Sequence, residues 1–461
     1  MQFRLSLLLG LLFLGNSQPL LQSQELPSAK KQIPDLSSLP DQTDALQQRI
    51  LADGGRLLLA SGRYRITRPL LFSLSQERSA LVSASGGPVT LIMDGPGPAI
   101  RIEGSHEGTA SPKSFAPATW NEAMPRIEGI EIIGNHPDAC GIELTQCVQP
   151  IVDRVAIRWC RDGIILNDRN RNVILSNLQV YENSGIGIHL DDVNLHQINI
   201  SNSHISYNRR GGIVVRDGNV RNLHITGCDL EANMPADDTE TTTANILLDV
   251  SGSAEDKSRS IAEVAITGCT IQHSSNYGGK DYDSIAPGGA NIRILGKSIW
   301  PIDSIAITGN VISDTSVLLD IRQATDVTLS GNTFFAPNPD FLHASDSKRL
   351  VIQGNTWNPR QFVRPGRLVL ERCQDSILSD NTFRALAAED GVIQLRDCQR
   401  ILAGGNILTE SSSGLAIRNS SSILVHDWIV SGLPDGVPFL DVDDKSEVLG
   451  SPQDRATESA P

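Results

Sequence analysis

One short phrase recurs through most of this chain. It appears as Ile130-Glu-Ile-Ile-Gly-Asn135, Val173-Ile-Leu-Ser-Asn177, Ile198-Asn-Ile-Ser-Asn202 and Leu223-His-Ile-Thr-Gly-Cys228. It continues as Val264-Ala-Ile-Thr-Gly-Cys269, Ile305-Ala-Ile-Thr-Gly-Asn310, Val327-Thr-Leu-Ser-Gly-Asn332, Val351-Ile-Gln-Gly-Asn355 and Ile377-Leu-Ser-Asp-Asn381. Each copy opens with period-2 alternation, the pattern of a half-buried strand, and closes on a small residue followed by Asn or Cys. A second strand series lies between: Gly141-Ile-Glu-Leu144, Gly163-Ile-Ile-Leu166, Gly187-Ile-His-Leu190, Gly212-Ile-Val-Val215, Asn245-Ile-Leu-Leu248 and Asn291-Ile-Arg-Ile294. Its first intervals are 22, 24 and 25 residues, and two longer ones, 33 and 46, mark insertions.

A period of this length with short strands predicts a solenoid. Leucine-rich repeats need dense Leu at LxxLxL spacing, and propeller blades need longer periods with aromatic signatures; neither is present. The expected fold is all-β: a right-handed, single-stranded parallel β-helix of roughly 12–14 coils. Like residues in successive coils then stack ~4.8 Å apart, with Ile, Leu and Val filling the interior.

The same stacking accounts for the cysteines. Cys160, Cys228 and Cys269 are assigned to the slot that Asn135, Asn177, Asn202, Asn310, Asn332, Asn355 and Asn381 hold in other copies, and Cys373 and Cys398 are expected to stack on each other. The seven cysteines, with no CxxC pair, read as buried structural thiols rather than a disulfide scaffold or a zinc ribbon.

The chain ends read differently. Met1-Gln-Phe-Arg4 followed by the apolar run Leu5–Leu14 has the form of a secretory signal, assigned to residues 1–23, and is too short to span a bilayer. Residues 24–40 read as a linker. Asp41–Ile50 reads as an amphipathic helix, with Thr43 or Asp44 as its cap, placed to cover the first coil. Residues 41–125 form the N-terminal cap and first coils, with a polar insertion at 105–125 that carries Trp120. Residues 126–443 are the repeats, and 444–461 a disordered tail. Removing residues 1–23, which hold Arg4 and no acid, takes the net charge from −14 to −15. That balance excludes a general nucleic-acid binder, and no second apolar stretch is long enough for stable membrane insertion.

The segment Asp44-Ala-Leu-Gln47, Gly54-Gly55, Leu57-Leu-Leu59 and Ser61-Gly-Arg-Tyr-Arg-Ile66 resembles the opening of the pectate-lyase-like (pectin lyase fold) superfamily. The coils from 126 to 443 resemble the right-handed β-helix repeat of secreted bacterial proteins. The resemblance implies the fold. For function it implies a set that includes polysaccharide lyases, glycoside hydrolases, uronate epimerases, phage tailspikes and non-catalytic surface proteins. The Gly-His-Gly of polygalacturonases is absent, and so are the arginine-rich and Trp-Ile-Asp-His-like motifs of calcium pectate lyases. No catalytic residue is carried over from the family.

The candidate site comes from alternation alone. With Ile188 and Leu190 inward, His189 and Asp191 point outward and Asp192 falls at the next corner. Neighbouring coils extend this into two ladders, Asn167–Asp191–Arg216–Asp249 and Asp168–Asp192–Asp217. Stacked carboxylates repel, and a cation such as calcium, nearby Arg, or protonation of one member relieves the conflict. The candidate catalytic residues are therefore His189, Asp191, Asp192, Asp168 and Asp217. From His204 to His224 four Arg and one Asp give a local +3. Arg216, Arg209, Arg210, Tyr207 and Tyr181 are expected to bind substrate, with Tyr181 and Tyr207 stacked in adjacent coils as Asn183 and Asn208 are. Tyr277, Lys280 and Tyr282 on the 276–289 insertion join them. Tyr faces, Arg forks and carboxylates suit an acidic polysaccharide. Two chemistries stay open, β-elimination and hydrolysis, and so does a non-catalytic cell-surface or glycan-binding role.

Overall fold

The computed structural model describes residues 36–450 apart from 37, 78, 109–110, 123, 235–242, 257, 274–288, 338 and 360–365. The proposed signal and linker up to residue 35, the tail beyond 450, and Tyr277, Lys280 and Tyr282 lie outside the described residues. The chain winds as a parallel solenoid. One sheet has 14 strands, one per coil, and the other has 27, contributed by two strand segments of each coil that in several coils run together. Every strand pairs in parallel with its counterpart one coil away; Ile188–Ser201, for example, lies between Ile164–Ser176 and the strands Ile213–Arg216 and Asn219–Thr226. No helix among the described residues is long and apolar enough to cross a membrane.

The interior is a single apolar column. Ile142, Ile164, Ile188, Ile213, Ile246 and Ile292 stack in register and are fully buried. Burying each such side chain stabilises by roughly 1.5–3 kcal/mol. Toward the C-terminus aromatics take over: Phe334, Trp357, Phe383 and Trp428 stack with interplanar angles of 12°, 15° and 13°.

The single Asn slot read from the repeat divides into several structural positions. Asn177 and Asn202 are left-handed corner residues (φ 54° and 49°), the position that Gly227, Gly268 and Gly309 hold in later coils. Asn310, Asn332, Asn355, Asn381 and Asn406 come one residue later and point inward. Each amide Nδ2 donates to the next Asn Oδ1 at 3.0–3.1 Å. Each Oδ1 also accepts the backbone N–H of the preceding Asn in the ladder, at 2.9–3.0 Å. Cys228 and Cys269 lead into this ladder. Cys160 belongs to another, in which its N–H donates to Asn183 Oδ1 and the amides of Asn183, Asn208, Asn233, Asn245 and Asn291 follow in series. Cys373 and Cys398 stack as expected, between Ser347 and Ser420. All seven thiols are free and buried.

At the N-terminus the helix runs Thr43–Ala52 and buries Thr43, Leu46 and Ile50. Neither Thr43 nor Asp44 caps it. The N-cap is Gln42, which makes no side-chain cap bond; Asp41 before it accepts the Thr43 N–H at 2.9 Å and its hydroxyl at 2.6 Å.

Candidate functional site

Of the two outward rows read from the sequence, the first is present as a register. Asn167, Asp191, Arg216 and Asp249 are register partners across four coils. The row beside it runs Ile165, His189, Val214, Leu247. Asp168, Asp192 and Asp217 each follow a member of the first row by one residue and occupy left-handed corners (φ 54°, 41° and 58°), but the register shifts at Asp168, so they form no continuous register row. Asx residues tolerate this conformation better than most, so the corner itself favours Asp.

His189 has the most unusual environment of the set. Its side chain is 14% exposed, and Nε2 lies 3.8 Å from Asp191 Oδ1. That nitrogen is buried and makes no hydrogen bond. Burial lowers the imidazole pKa; Asp191 and then Asp162 oppose the shift, while Arg216 and Arg161 reinforce it. The ring is thus kept neutral in a field of both signs. Asp162 was not anticipated from the sequence. It accepts the Ile186 N–H at 2.8 Å and Arg161 Nε at 2.9 Å, and so ties the corner beside His189 together. Its only signal was an acid just before Gly163, where the equivalent residues before Gly187 and Gly212 are Ile186 and Gly211.

The corner acids have local partners. Arg259 reaches Asp192 at 3.5 Å, and the Ser253 hydroxyl donates to Asp217. Both arrive on the excursion between the strands Ala244–Asp249 and Ser260–Thr267, which breaks the repeat period and hides them from a spacing argument. Among the described residues no three His, Cys, Asp or Glu side chains converge as metal ligands.

The tyrosines lie elsewhere. Tyr181 pairs in register with Arg158 and Ser206, not with Tyr207. Tyr207 is one residue further on, at a left-handed corner (φ 59°), beyond the end of the strand His204–Ser206. Its hydroxyl bonds Glu231; burial first, then Glu231, pushes its pKa up to about 12. Burial in turn raises the Glu231 pKa, against the Tyr207 hydrogen bond. Arg158 lies 4.4 Å over Trp159 and 5.9 Å over Tyr181, and Trp159 Nε1 donates to Glu182 at 2.6 Å. This aromatic–acid cluster is on the 14-stranded sheet, whereas His189, Asp191 and Arg216 are on the 27-stranded one. Outward side chains of the two sheets diverge across the corner. The expected single groove is therefore two surfaces, with exposed Arg209 and Arg210 on the corner between them. Asn183 and Asn208 do stack there, at 2.8 Å.

Further along the His189 row the polar character returns. Arg293 and Asp320 are register partners, buried on the outer face, and Asp320 takes Arg293 Nε at 3.0 Å and a bidentate pair from Arg322 at 2.9 and 3.0 Å. Removing one partner of such a buried pair costs more than the pair contributes.

The model of the right handed beta helix region family matches residues 99–251 and 254–429. The chain belongs to that family. No curated protein is similar to it in sequence. Among solved structures it is similar to tailspike protein 3 of bacteriophage CBA120, with TM-score 0.50 and 12% identity over 90% of this chain and 59% of the tailspike. It is also similar to a PL6 alginate lyase in complex with a trisaccharide (TM-score 0.40, 13% identity, 89% of this chain and 83% of the lyase). A third is the family 28 exopolygalacturonase of Yersinia enterocolitica (TM-score 0.35, 12% identity, 90% and 76%). The β-helix thus spans less than two-thirds of the tailspike's length.

Proposed function

We propose that this β-helix protein is exported and cleaves an acidic polysaccharide at the His189 site, by β-elimination. Export is supported by the apolar run Leu5–Leu14, and a carbohydrate substrate by the polysaccharide-acting enzymes among proteins of the same fold. The observation that carries the chemistry is a mostly buried imidazole, its pKa lowered by burial, 3.8 Å from one carboxylate and within the field of two arginines. The Asp191 charge 3.8 Å from Nε2, without a hydrogen bond, favours the tautomer with the proton on that nitrogen, which leaves Nδ1 to accept. A neutral imidazole takes the C5 proton of a uronate without first having to lose one of its own. Arg216, one position along the Asp191 row, pairs with the uronate carboxylate and stabilises the charge that develops when the proton leaves. The Asp191 charge stabilises the imidazolium that forms. The leaving glycosidic oxygen departs from C4 and is protonated by solvent or by a nearby acid.

The test is turnover on a panel of acidic and neutral polysaccharides, following both the ultraviolet absorbance of an unsaturated product and reducing ends. A lyase raises both and a hydrolase only the second. His189→Ala is expected to lose at least ~100-fold in rate, the usual contribution of a general base. Turnover by His189→Ala at the wild-type rate would remove the site. A non-catalytic glycan-binding role is the second reading. It is favoured by Asp192 and Asp217 having structural partners in Arg259 and Ser253, and predicts binding without either signal.

A further inference from the structure

A separate cluster sits where the 105–125 insertion folds back on the coils. Three rings stack in series: His106 on Phe115 with centroids 4.2 Å apart and 26° between planes, then Phe115 on Trp120 at 4.6 Å and 17°. His106 is fully buried and forms the floor of the stack, whereas Trp120 is outermost and 49% exposed. The insertion is pinned at its base, where Glu122 accepts the Ser105 N–H at 2.8 Å and its hydroxyl at 2.6 Å. It is pinned again by Arg169, whose Nη1 donates to the Gly108 carbonyl at 2.5 Å. The Arg171 guanidinium lies 5.9 Å from the Phe115 ring.

Basic groups lie on the coils beside the stack, while the insertion itself carries Glu107 and Glu122. Arg171 is in register with His196, and His196 with Arg221. Burial, then Arg169 and Arg171, brings His106 down to about 4; burial, then Arg171 and Arg221, lowers His196. Glu263 is the acid that faces this row, and it pairs with Arg221 at 3.1 Å. Arg169, Arg171 and Arg221 against Glu263 leave the coils here net positive on a chain of net charge −14, which attracts anions.

An exposed indole backed by two further rings cannot rotate freely, so its outer face is ordered before any ligand arrives. Such a face offers an apolar platform to a sugar ring, and a guanidinium beside it offers a charged fork to a carboxylate or sulfate. We infer that Trp120, together with Arg169 docked on the Gly108 carbonyl of the same insertion, forms a binding subsite for an anionic oligosaccharide, separate from the His189 site. The inference rests on the acidic-polysaccharide reading above and names the part of the surface that holds the chain.

The experiment is calorimetric titration of the whole protein with three hexasaccharides: a uronic acid hexamer, a sulfated galactan hexamer and a neutral glucan hexamer. At least one anionic hexamer is expected to bind and the neutral one not, and which anion binds identifies carboxylate or sulfate. Trp120→Ala and Arg169→Ala are each expected to raise Kd roughly tenfold, with Trp120→Phe within about twofold. Circular dichroism of each variant checks that the solenoid is intact. Unchanged Kd in both alanine variants, equal binding of the neutral hexamer, or no binding of either anionic hexamer would overturn the inference. His189→Ala separates the two proposals. Lost turnover with binding retained upholds both, and full turnover in His189→Ala with weak binding in Trp120→Ala discards the His189 site while keeping the subsite.

Discussion

Asn332→Ala is the sharpest test of how this solenoid holds together. The Asn332 side chain is 1% exposed. Its Oδ1 accepts both the backbone N–H and the Nδ2 of Asn310, each at 3.0 Å. Its Nδ2 donates to the Ile307 carbonyl at 2.9 Å and to Asn355 Oδ1 at 3.0 Å. Truncation leaves two donors of Asn310 without this acceptor, inside a core too tight to admit water. At roughly 1–3 kcal/mol for each orphaned buried group, the expected loss is about 4 kcal/mol. Asn202→Gly is the control, because Asn202 is an exposed left-handed corner residue and Gly227 holds the same position one coil on; it should change stability by less than about 0.5 kcal/mol. Cys269→Asn supplies the opposite sign. The Cys228 N–H now meets a sulfur at 3.5 Å, and an amide oxygen there is expected to stabilise by about 1 kcal/mol. Urea unfolding followed by circular dichroism reads all three. An Asn332→Ala loss below about 1 kcal/mol, or an equal loss in Asn202→Gly, would refute the ladder as a stabilising element.

Three further outcomes are expected. Trp357 is fully buried, 4.0 Å from Phe334 between ring centroids, so Trp357→Ala should cost about 3–5 kcal/mol in the same assay. Its Nε1 is buried without a hydrogen-bond partner, so Trp357→Phe should cost less than about 1.5 kcal/mol. His273 is buried with both ring nitrogens unpartnered, and burial brings its pKa down to about 4. Because the folded value lies below the unfolded one, its contribution is complete above the unfolded value and is lost as pH falls from 6.5 toward 4. Wild type should therefore lose about 2 kcal/mol more than His273→Leu between about pH 7.5 and pH 5, read as urea midpoints. The seven buried thiols should resist iodoacetamide in the folded protein and all react in urea; burial pushes Cys147 up to about 12. Labelling of any thiol in the folded state at the rate of a free cysteine would contradict that packing.

Period-2 alternation made the fold legible, because a strand buried on one face has no other way to sort its side chains. It placed Ile188 and Leu190 inside and His189 and Asp191 outside, and the coil spacing gave the Asn167–Asp191–Arg216–Asp249 register. The same reasoning failed where one residue type serves two purposes. Asn is used at the corner because it tolerates positive φ, and one residue later because its amide bridges coils; letters alone merged Asn177 with Asn310. Tyr181 and Tyr207 were paired by similarity of type, although the register puts Ser206 beside Tyr181. Arg259 and Ser253 come from outside the period, and Asp162 acts through backbone hydrogen bonds that no spacing records.

The asparagine columns also give the rod an electrical direction. In both, every Asn-to-Asn bond runs the same way, from an amide nitrogen to the amide oxygen of the next Asn in the C-terminal sense. Parallel dipoles in a dry interior polarise one another and sum. Reversing a single amide would set two NH2 groups face to face, so the orientation propagates as a unit from one coil to the next. A coil added by duplication inherits the orientation of its template, and solenoids of this kind can lengthen by whole turns without choosing it anew.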